Sequence, residues 1–425
     1  MLNVLLKIVC AIILVCITES TIFCASDRLI DDSNLSTTRV FLQTIGRGKN
    51  LPDLYGHNQL RIADPVSRKN FVVSWGLYND RDPMFPFNFY LGRAKFLVAA
   101  IPFSKSLEYY RAAKRYVDED EFVLTLEQKK LLIRRLESSL QPDSNSYLYK
   151  IYEDNCSTRL RDVIDELLGG AIRASFDTQV TGVSVREILD KHQSAILGSS
   201  TILHAIANSQ VDRPLSAWEI MYLPHELQSH LKSVINPATQ KPLMVPHQRL
   251  VEFPEPKLTT GKARDGFIQK VIGGLFFFGV LILVFQPKLQ KKVSSNLKVR
   301  AILVANRINV FCWLALGTLI WWVLFANHVL TDHVYLKSNA ILVILGPLDI
   351  IFGWQISYSA KWQSRMIWYV GLRLGLMALV MFAFWMNLIT QDISIIYFYM
   401  APLTVFLIIY FLGQKGRSEQ SLAIL

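Results

Sequence analysis

The pattern of hydrophobic and polar positions divides the chain near residue 265. Beyond that point long apolar runs alternate with short polar loops, and the runs cover residues 266–285, 308–330, 340–357, 366–388 and 395–412. Each run is close to the roughly 20 residues that a helix needs to cross a bilayer. Because the loops are short, the pattern predicts an all-α bundle of five transmembrane helices, in a membrane domain over residues 265–425.

A separate hydrophobic segment opens the chain. MLNVLLKIVCAIILVCITES combines a short leader that ends at Lys7 with an apolar core of about ten residues, which is typical of a signal peptide. We therefore expect a signal peptide over residues 1–25, with an uncleaved N-terminal anchor as the alternative. Either one would export the next part of the chain, so residues 26–264 are predicted to form an outer domain.

Basic residues predict the orientation of the bundle. Lysine and arginine crowd the loops after the first and third apolar runs and the C-terminal tail, whereas the other loops hold one lysine and two aspartates. The positive-inside rule then predicts a bacterial inner (cytoplasmic) membrane protein with a periplasmic N-domain and a cytoplasmic C-terminus. Residues 265–425 hold 13 Lys and Arg against 5 Asp and Glu, so most of the +11 net charge reflects topology. We expect no nucleic-acid partner.

Two neighbouring segments of the outer domain have the pattern of strands. In LYGHNQLRI, which ends at Ile62, alternation puts His57 and Gln59 on one face and Leu60 and Ile62 on the other. FVVSWGLYN, residues 71–79, comes after a polar turn and predicts a second strand.

A helix is predicted to start at Cys156. The apolar residues after it recur at helical spacing, at Leu160, Val163, Ile164, Leu167 and Leu168. Asp154 or Asn155 can cap the start, and Gly169-Gly170 stops the helix. Cys156 therefore belongs to the first helical turn and faces inward.

Cys156 is the only cysteine of the predicted outer domain. Cysteines of exported domains usually pair, so a single one indicates a thiol kept for reactivity; a small buried core residue is the alternative. The positive end of a helix stabilises a thiolate, so the position predicts a lowered pKa and a cysteine nucleophile. Free backbone N–H groups at the helix start could also bind an oxyanion.

A thiol nucleophile needs a histidine as its base. The outer domain offers six histidines, and most of them lie in helical surroundings of mixed polarity. Besides His57 they are His192, His204, His225, His230 and His247. His57 differs because it lies on a strand, and a histidine on a sheet that faces a cysteine at a helix start is the papain-like arrangement. We therefore predict His57 as the base.

Other polar residues could complete this site. Ser74, Asn79 and Asp80, on or after the second strand, are candidates to orient the histidine. Asn155 could donate to the oxyanion or simply cap the helix. Arg159 could bind a phosphate or carboxylate of the substrate. Arg161 is expected to pair with Asp165, four residues on.

Several motifs together resemble the Lnb N-terminal periplasmic domain family. They are GH at 56–57, the strand that ends in WGLY, FNFYLGRAKFLVAAIP at 87–102, NCSTRLRDVID at 155–165 and VDRPLSAWEIMYLPHEL at 211–227. TDHVYLKSNAILVILGPLD at 331–349 resembles the membrane half of related proteins, with a histidine followed by an asparagine. The NCSTRLRD cluster is the most specific of these motifs.

The resemblance implies a fold and an activity. It implies an α+β, permuted papain-like (NlpC-type) outer domain, with Cys156 as nucleophile and His57 as base. It also implies a membrane-bound acyltransferase that passes an acyl group through a thioester, with membrane lipids and lipoproteins as partners and a lipoprotein N-terminus as one substrate.

Polar residues inside the membrane domain need a role because burying them in lipid is costly. Asp349 in the third run and Arg373 in the fourth could pair with each other, or Arg373 could extend to the interface. His333 and Asn339 lie at the outer end of the bundle, on the side of the thiol domain, and are candidates for substrate binding.

Three functions remain open from the sequence. The first is a Cys–His thiol acyltransferase acting on a lipidated envelope substrate. The second is a periplasmic thiol peptidase or amidase of the cell wall, although a wall hydrolase needs only a tether. The third is a non-catalytic envelope assembly or transport protein. No phosphate-binding glycine loop or metal-ligand spacing stands out, so we expect no cofactor and no metal.

Overall fold

The computed structural model describes residues 28–48, 53–79, 81–192, 206–256, 274, 297–351 and 360–391. Two compact units divide the chain. The first consists of described residues within 1–89, 93–180 and 216–256, and the second of those within 90–92, 181–215 and 257–425. The predicted domain boundaries, after residues 25 and 264, fall outside the described residues.

Most strands of the described part belong to one antiparallel sheet in the first unit. Its seven strands are β1 (Arg39–Ile45), β2 (His57–Asp64), β3 (Lys69–Leu77), β4 (Lys95–Pro102), β5 (Val117–Phe122), β6 (Ser146–Leu148) and β11 (Met244–Val251). They follow the spatial order β11-β5-β1-β2-β3-β4-β6, and each neighbouring pair is antiparallel. Two small sheets pair β7 (Val180–Ser184) with β8 (Pro214–Ser216) and β9 (Ile235–Asn236) with β10 (Lys241–Pro242). The outer part of the chain is therefore a mixed α+β structure.

Helices connect these strands and form most of the second unit. In chain order they are α1 (Phe85–Tyr90), α2 (Phe103–Ala112), α3 (Leu126–Ser139), α4 (Cys156–Leu167), α5 (Ala171–Phe176), α6 (Val185–His192), α7 (Ala217–Ile220), α8 (Pro224–Ser233), α9 (Leu297–Leu330), α10 (Ile341–Ile344) and α11 (Ala360–Trp385). Short 3₁₀ turns cover Asp32–Asn34, Ser209–Val211 and Val334–Leu336.

The two predicted strands form a hairpin in the middle of the large sheet. β2 pairs with β3 in antiparallel register, with Gln59 opposite Ser74 and Leu60 opposite Val73. On its other side β2 pairs with β1, so that His57 lies opposite Ile45. The strand prediction is confirmed for both segments, although β2 begins only at His57.

One face of the sheet builds the main core. Alternate residues of the central strands are buried there, and helices α3 and α4 cover them with their apolar sides. The strands contribute Val40, Leu42, Leu60, Ile62, Val73 and Trp75, and the helices Leu132, Leu136, Leu160 and Ile164. Cys156 belongs to the same cluster. The amphipathic pattern of α4 thus fixes its position on the sheet.

The opposite face carries a buried polar network. Gln43 donates to Glu119 at 2.7 Å, and Gln59 donates to Gln43 at 2.7 Å and to Ser106 at 2.8 Å. Ser106 belongs to α2, so the network ties that helix to the central strands. Because each of these buried polar groups has a partner, the network holds this face in one arrangement.

The second unit contains the described part of the predicted membrane domain. Among the described residues, one apolar stretch of 18 residues, Val334–Ile351, has the length and composition to cross a membrane. The apolar parts of α9 and α11, Ala315–Leu330 and Gly371–Trp385, are shorter. The first and fifth predicted runs lie outside the described residues, apart from Gly274. The bundle of five helices therefore stays a prediction.

Candidate functional site

Cys156 is the first residue of α4, as its sequence pattern predicts. The side-chain oxygen of Asn155 accepts hydrogen bonds from the N–H groups of Ser157 and Thr158, both at 2.9 Å. The amide nitrogen of Asn155 donates to the carbonyls of Ile151 at 2.7 Å and Tyr222 at 3.0 Å. Asn155 is therefore the helix cap, and its amide N–H groups are engaged by backbone carbonyls.

The Cys156 sulfur lies against the beginning of β2. The backbone N–H of Asn58 donates to it, and the Ser157 hydroxyl lies 3.8 Å from it. The same hydroxyl donates to the side-chain oxygen of Asn58 at 2.8 Å, which ties the start of α4 to the strand. Cys156 is only 8% exposed. The sulfur is thus enclosed between the helix start and the residue directly after His57.

Burial dominates the acidity of the thiol. It raises the pKa of Cys156 above the usual value, more than the hydrogen bonds from Asn58 and Ser157 and the charge of Arg115 lower it. The prediction of a lowered pKa is therefore wrong for this structure. The N–H dipoles at the helix start do stabilise a thiolate. This stabilisation is smaller than the hydration free energy that the thiolate loses when it is enclosed.

His57 is half-buried and is held by the neighbouring strand. Its Nε2 atom makes a 2.9 Å hydrogen bond with the hydroxyl of Ser74. The ring also packs closely on Gly76. A Cβ built at that glycine would lie only 2.5 Å from the ring atom Cε1. When the Nε2 proton is donated to Ser74, Nδ1 is a bare nitrogen that can accept a proton.

The surroundings keep His57 neutral. Burial, followed by the positive charge of Arg115, lowers the pKa of His57 to about 3. The imidazole is therefore unprotonated at neutral pH and has the protonation state of a general base.

The structure places the Cys156 sulfur next to the backbone that follows His57, but no hydrogen bond joins the two predicted catalytic side chains. The sulfur of Cys156 touches the N–H of Asn58, directly after His57. The side chains of His57 and Asn58 leave opposite faces of β2. Within the described residues no hydrogen bond joins the sulfur to the imidazole, whose bonded partner is Ser74.

The remaining candidates to orient the histidine lie elsewhere. The side chain of Asn79 accepts a hydrogen bond from the N–H of Arg81 at 3.1 Å, in the turn after β3. Asp80 lies outside the described residues. Of the three candidates, the structure brings Ser74 to His57.

Sequence reasoning missed Arg115, a buried cation at this end of the sheet. Its Nε atom donates to the carbonyl of Gly46 at 2.7 Å, and its Nη1 atom bonds to Asp53 at 2.5 Å. The segment AKRYVDED, in which Arg115 lies, looks like an ordinary charged turn before a strand. The antiparallel pairing of β5 with β1, which ends with Val117 opposite Ile45, places it at the end of the sheet where β2 begins.

The arginines near the helix start have structural partners. Arg159 makes two hydrogen bonds to Asp154, at 2.6 and 2.8 Å, and lies over the ring of Tyr147. Arg161 does not pair with Asp165, contrary to the prediction. It bonds to Asp162 at 2.8 Å and lies 3.8 Å from the ring centroid of Trp218. Asp165 instead accepts from backbone N–H groups at the start of α5.

The candidate residues of the second unit are buried. His333 is 3% exposed, and its ring lies 3.2 Å from the position that a Cβ would take at Gly92. The side-chain oxygen of Asn339 accepts from the N–H of Ile341 at 2.9 Å and from Gln391 at 3.0 Å. These contacts anchor both residues within the second unit.

The predicted pairing of Asp349 with Arg373 is confirmed. The Nη2 atom of Arg373 lies 2.7 Å from the carboxylate, and its Nη1 atom donates to the carbonyl of Ile344 at 3.0 Å. Among the described residues, no group of three or more His, Cys, Asp or Glu side chains could hold a metal ion.

Comparison with known proteins finds one family model that matches part of the chain. The family model of the Lnb N-terminal periplasmic domain matches residues 25–191, which include both His57 and Cys156. No curated protein and no solved structure matches the chain.

Proposed function

Because residues 25–191 belong to the Lnb N-terminal periplasmic domain family, we propose that this envelope protein is a membrane-bound Cys–His thiol acyltransferase. Cys156 acts as the nucleophile and His57 as the general base, and the acyl substrate is a lipidated molecule of the envelope. A lipoprotein N-terminus is the acceptor that we favour.

One observation carries this proposal: Cys156 is the first residue of a capped helix and lies against the residue after a neutral, Ser74-bound histidine. A nucleophile at a helix start, a base on the adjacent strand and a third group that holds the base form a recurrent unit of covalent catalysis. The order along the chain, histidine before cysteine, supports a permuted papain-like fold for this unit.

The proposed chemistry has two balanced steps. In the first, a rotation of the imidazole away from the opposite face of β2 brings Nδ1 of His57 to the sulfur. Nδ1 then takes the thiol proton while the sulfur attacks an ester carbonyl, and the proton passes to the departing alkoxide. A thioester on Cys156 and a free alcohol result. In the second, an amine attacks the thioester carbonyl and the C–S bond breaks. His57 takes a proton from the amine and passes it to the departing sulfur, which restores the thiol. The backbone N–H of Cys156 is a candidate donor to the oxyanion in both steps.

Membrane anchorage fits this substrate. A periplasmic domain family together with one stretch able to cross a bilayer supports a membrane protein. We further propose a multi-pass bundle of five helices, with the N-domain in the periplasm and the C-terminus in the cytoplasm, because the basic loops alternate with poorly charged ones. A lipid substrate could then reach the thiol domain without leaving the membrane surface.

A second candidate is a non-catalytic envelope assembly or transport protein. The state of the thiol favours it, because the raised pKa of Cys156 keeps the sulfur protonated at neutral pH and the side chain is nearly sealed. In that case the thiol is a core residue, and its replacement by serine should leave cellular function intact.

Intact mass spectrometry of the full-length protein, purified with native lipids, tests the proposal. We expect an acyl adduct on Cys156 that hydroxylamine removes, as a thioester requires. Cys156→Ser should abolish the adduct, and His57→Ala should slow its formation by about 10²- to 10⁴-fold. An unmodified Cys156 that reacts with alkylating agents only after unfolding would favour the assembly protein instead.

An added amine separates transfer from hydrolysis. With a synthetic peptide that carries an N-terminal cysteine, an acyltransferase should yield the acylated peptide. A peptidase or amidase should release no acyl peptide and cleave wall fragments instead.

A further inference from the structure

Arg115 is a buried cation with one nitrogen that lacks a partner. The side chain is 4% exposed, and its Nη2 atom makes no hydrogen bond within the described residues. Its other nitrogens bond to the carbonyl of Gly46 and to the carboxylate of Asp53. A buried guanidinium N–H without an acceptor is unfavourable, so this atom is ready to bind an oxygen that a ligand brings.

The position of Arg115 ties it to the thiol. Gly46, to which it donates, comes directly after Ile45, and Ile45 lies opposite His57 in the register of β1 and β2. The sulfur of Cys156 touches the N–H of the next residue of β2, Asn58. Arg115 therefore lies at the end of the sheet where the thiol and the imidazole are. Its charge lowers the pKa of both groups, although burial outweighs it at the thiol.

We propose that Arg115 binds a phosphate on the acyl substrate, so that the acyl donor is a glycerophospholipid rather than a neutral glyceride. This inference rests on the proposed thiol chemistry. A phospholipid carries its phosphate within a few bonds of its acyl esters, on the same glycerol. A fixed guanidinium at the same end of the sheet as the nucleophile would hold that phosphate and bring an ester carbonyl to the sulfur. Arginine suits this role because its planar, permanently charged fork matches phosphate oxygens.

Two small reagents of different charge test the anion site without any lipid. Iodoacetate and iodoacetamide alkylate the same sulfur, but only iodoacetate carries an anionic group. In the full-length protein, Arg115→Gln should lower the ratio of the iodoacetate rate to the iodoacetamide rate at Cys156 by about tenfold or more. Arg111→Gln removes an exposed positive charge at the end of α2 and should leave the ratio unchanged.

An unchanged ratio in Arg115→Gln overturns the proposal, and so does a native Cys156 that resists both reagents. If Arg115→Gln fails to fold, the wild-type protein gives the answer. Inorganic phosphate should then slow alkylation by iodoacetamide in a saturable way, compared with sodium chloride at equal ionic strength. Absence of this protection also overturns the proposal.

Two acyl donors with identical chains identify the source of the phosphate. Wild-type protein should form the Cys156 thioester faster from phosphatidylglycerol than from diacylglycerol, and Arg115→Gln should remove most of that preference. Equal rates from both donors would contradict a phospholipid donor, even if free phosphate protects the thiol. If neither donor acylates Cys156 while the alkylation ratio still depends on Arg115, the result supports the phosphate site and contradicts the proposed acyl transfer.

Discussion

Gly76 provides the room in which the His57 ring lies. A Cβ at this position would be 2.5 Å from Cε1 of the ring, closer than real contacts allow, and 3.1 Å from Nδ1, which is a tight contact. The ring is the end of a side chain that can rotate, so added bulk would displace the imidazole rather than break the strand. Gly76 therefore controls the position of the base.

Gly76→Ala should impair chemistry more than stability. We expect thioester formation on Cys156 to fall about 10²- to 10⁴-fold, because the base leaves Ser74, with a loss of about 1–3 kcal/mol at most in the free energy of unfolding. The double variant with His57→Ala should be no slower than His57→Ala alone. Gly371→Ala is the control, since no described residue has an atom within 4 Å of its Cβ position. Additive rate losses in the double variant would contradict this role.

His57 should also make stability depend on pH. Its pKa is about 3 in the folded protein, below its ordinary value of 6.5. Between these values the unfolded chain binds a proton that the folded chain excludes, so stability falls as pH falls from 6.5 towards 3. The slope is at most about 1.4 kcal/mol per pH unit. Unfolding titrations in detergent should show that the free energy of unfolding falls more steeply at acid pH for wild type than for His57→Gln. Parallel curves would mean that the pKa of His57 is the same in the folded and unfolded protein.

Single residues were predictable where their neighbours in sequence determine their role. The positions of Cys156 and Asn155 follow from the helical spacing of the apolar residues after them and from the capping residue, all within about a dozen positions of the sequence. Gly76 and Arg115 were not found, because their roles arise from contacts across strands. The pKa of Cys156 was predicted in the wrong direction, since the sequence shows the helix end but not the degree of burial.

At the scale of elements, the start of α4 depends on one side chain. Asn155 accepts two hydrogen bonds from the first turn and donates two to the carbonyls of Ile151 and Tyr222. The helix start is thereby joined to the segment before it and to the turn before α8. The cap thus sets both the helix and the place of its first residue.

Asn155→Ala should cost about 2–3 kcal/mol in the free energy of unfolding, because it removes a cap and leaves two carbonyls without donors. It should also change the alkylation rate of Cys156. Thr125→Ala, which removes the cap of α3, should cost about 1 kcal/mol. It should leave that rate unchanged, because Thr125 caps a different helix. Equal effects of both variants on the rate would mean that the cap does not position the thiol.

The strands show the limit of element-level prediction. Alternation identified β2 and β3 and the faces of His57 and Leu60, since these result from a period of two. The order of the seven strands depends on pairing between distant segments, such as β5 with β11. The sequence holds no local signal for such pairs.

At the scale of the whole molecule, charge asymmetry predicts the topology. Reporter fusions at Leu425 should be active only with a cytoplasmic reporter, and fusions after Pro256 only with a periplasmic one. The physical reason is that lysine and arginine next to apolar segments resist translocation. A periplasmic signal from Leu425 would contradict the five-helix bundle.

The ion pair of the second unit has a consequence for how the protein is made. Asp349 and Arg373 come from consecutive apolar runs, and each alone would be costly to leave in lipid. Joined at 2.7 Å, they neutralise each other. We therefore expect that, during synthesis, the run with Asp349 stays beside the insertion channel until the run with Arg373 has left the ribosome. The two runs would then enter the bilayer together as one helical hairpin.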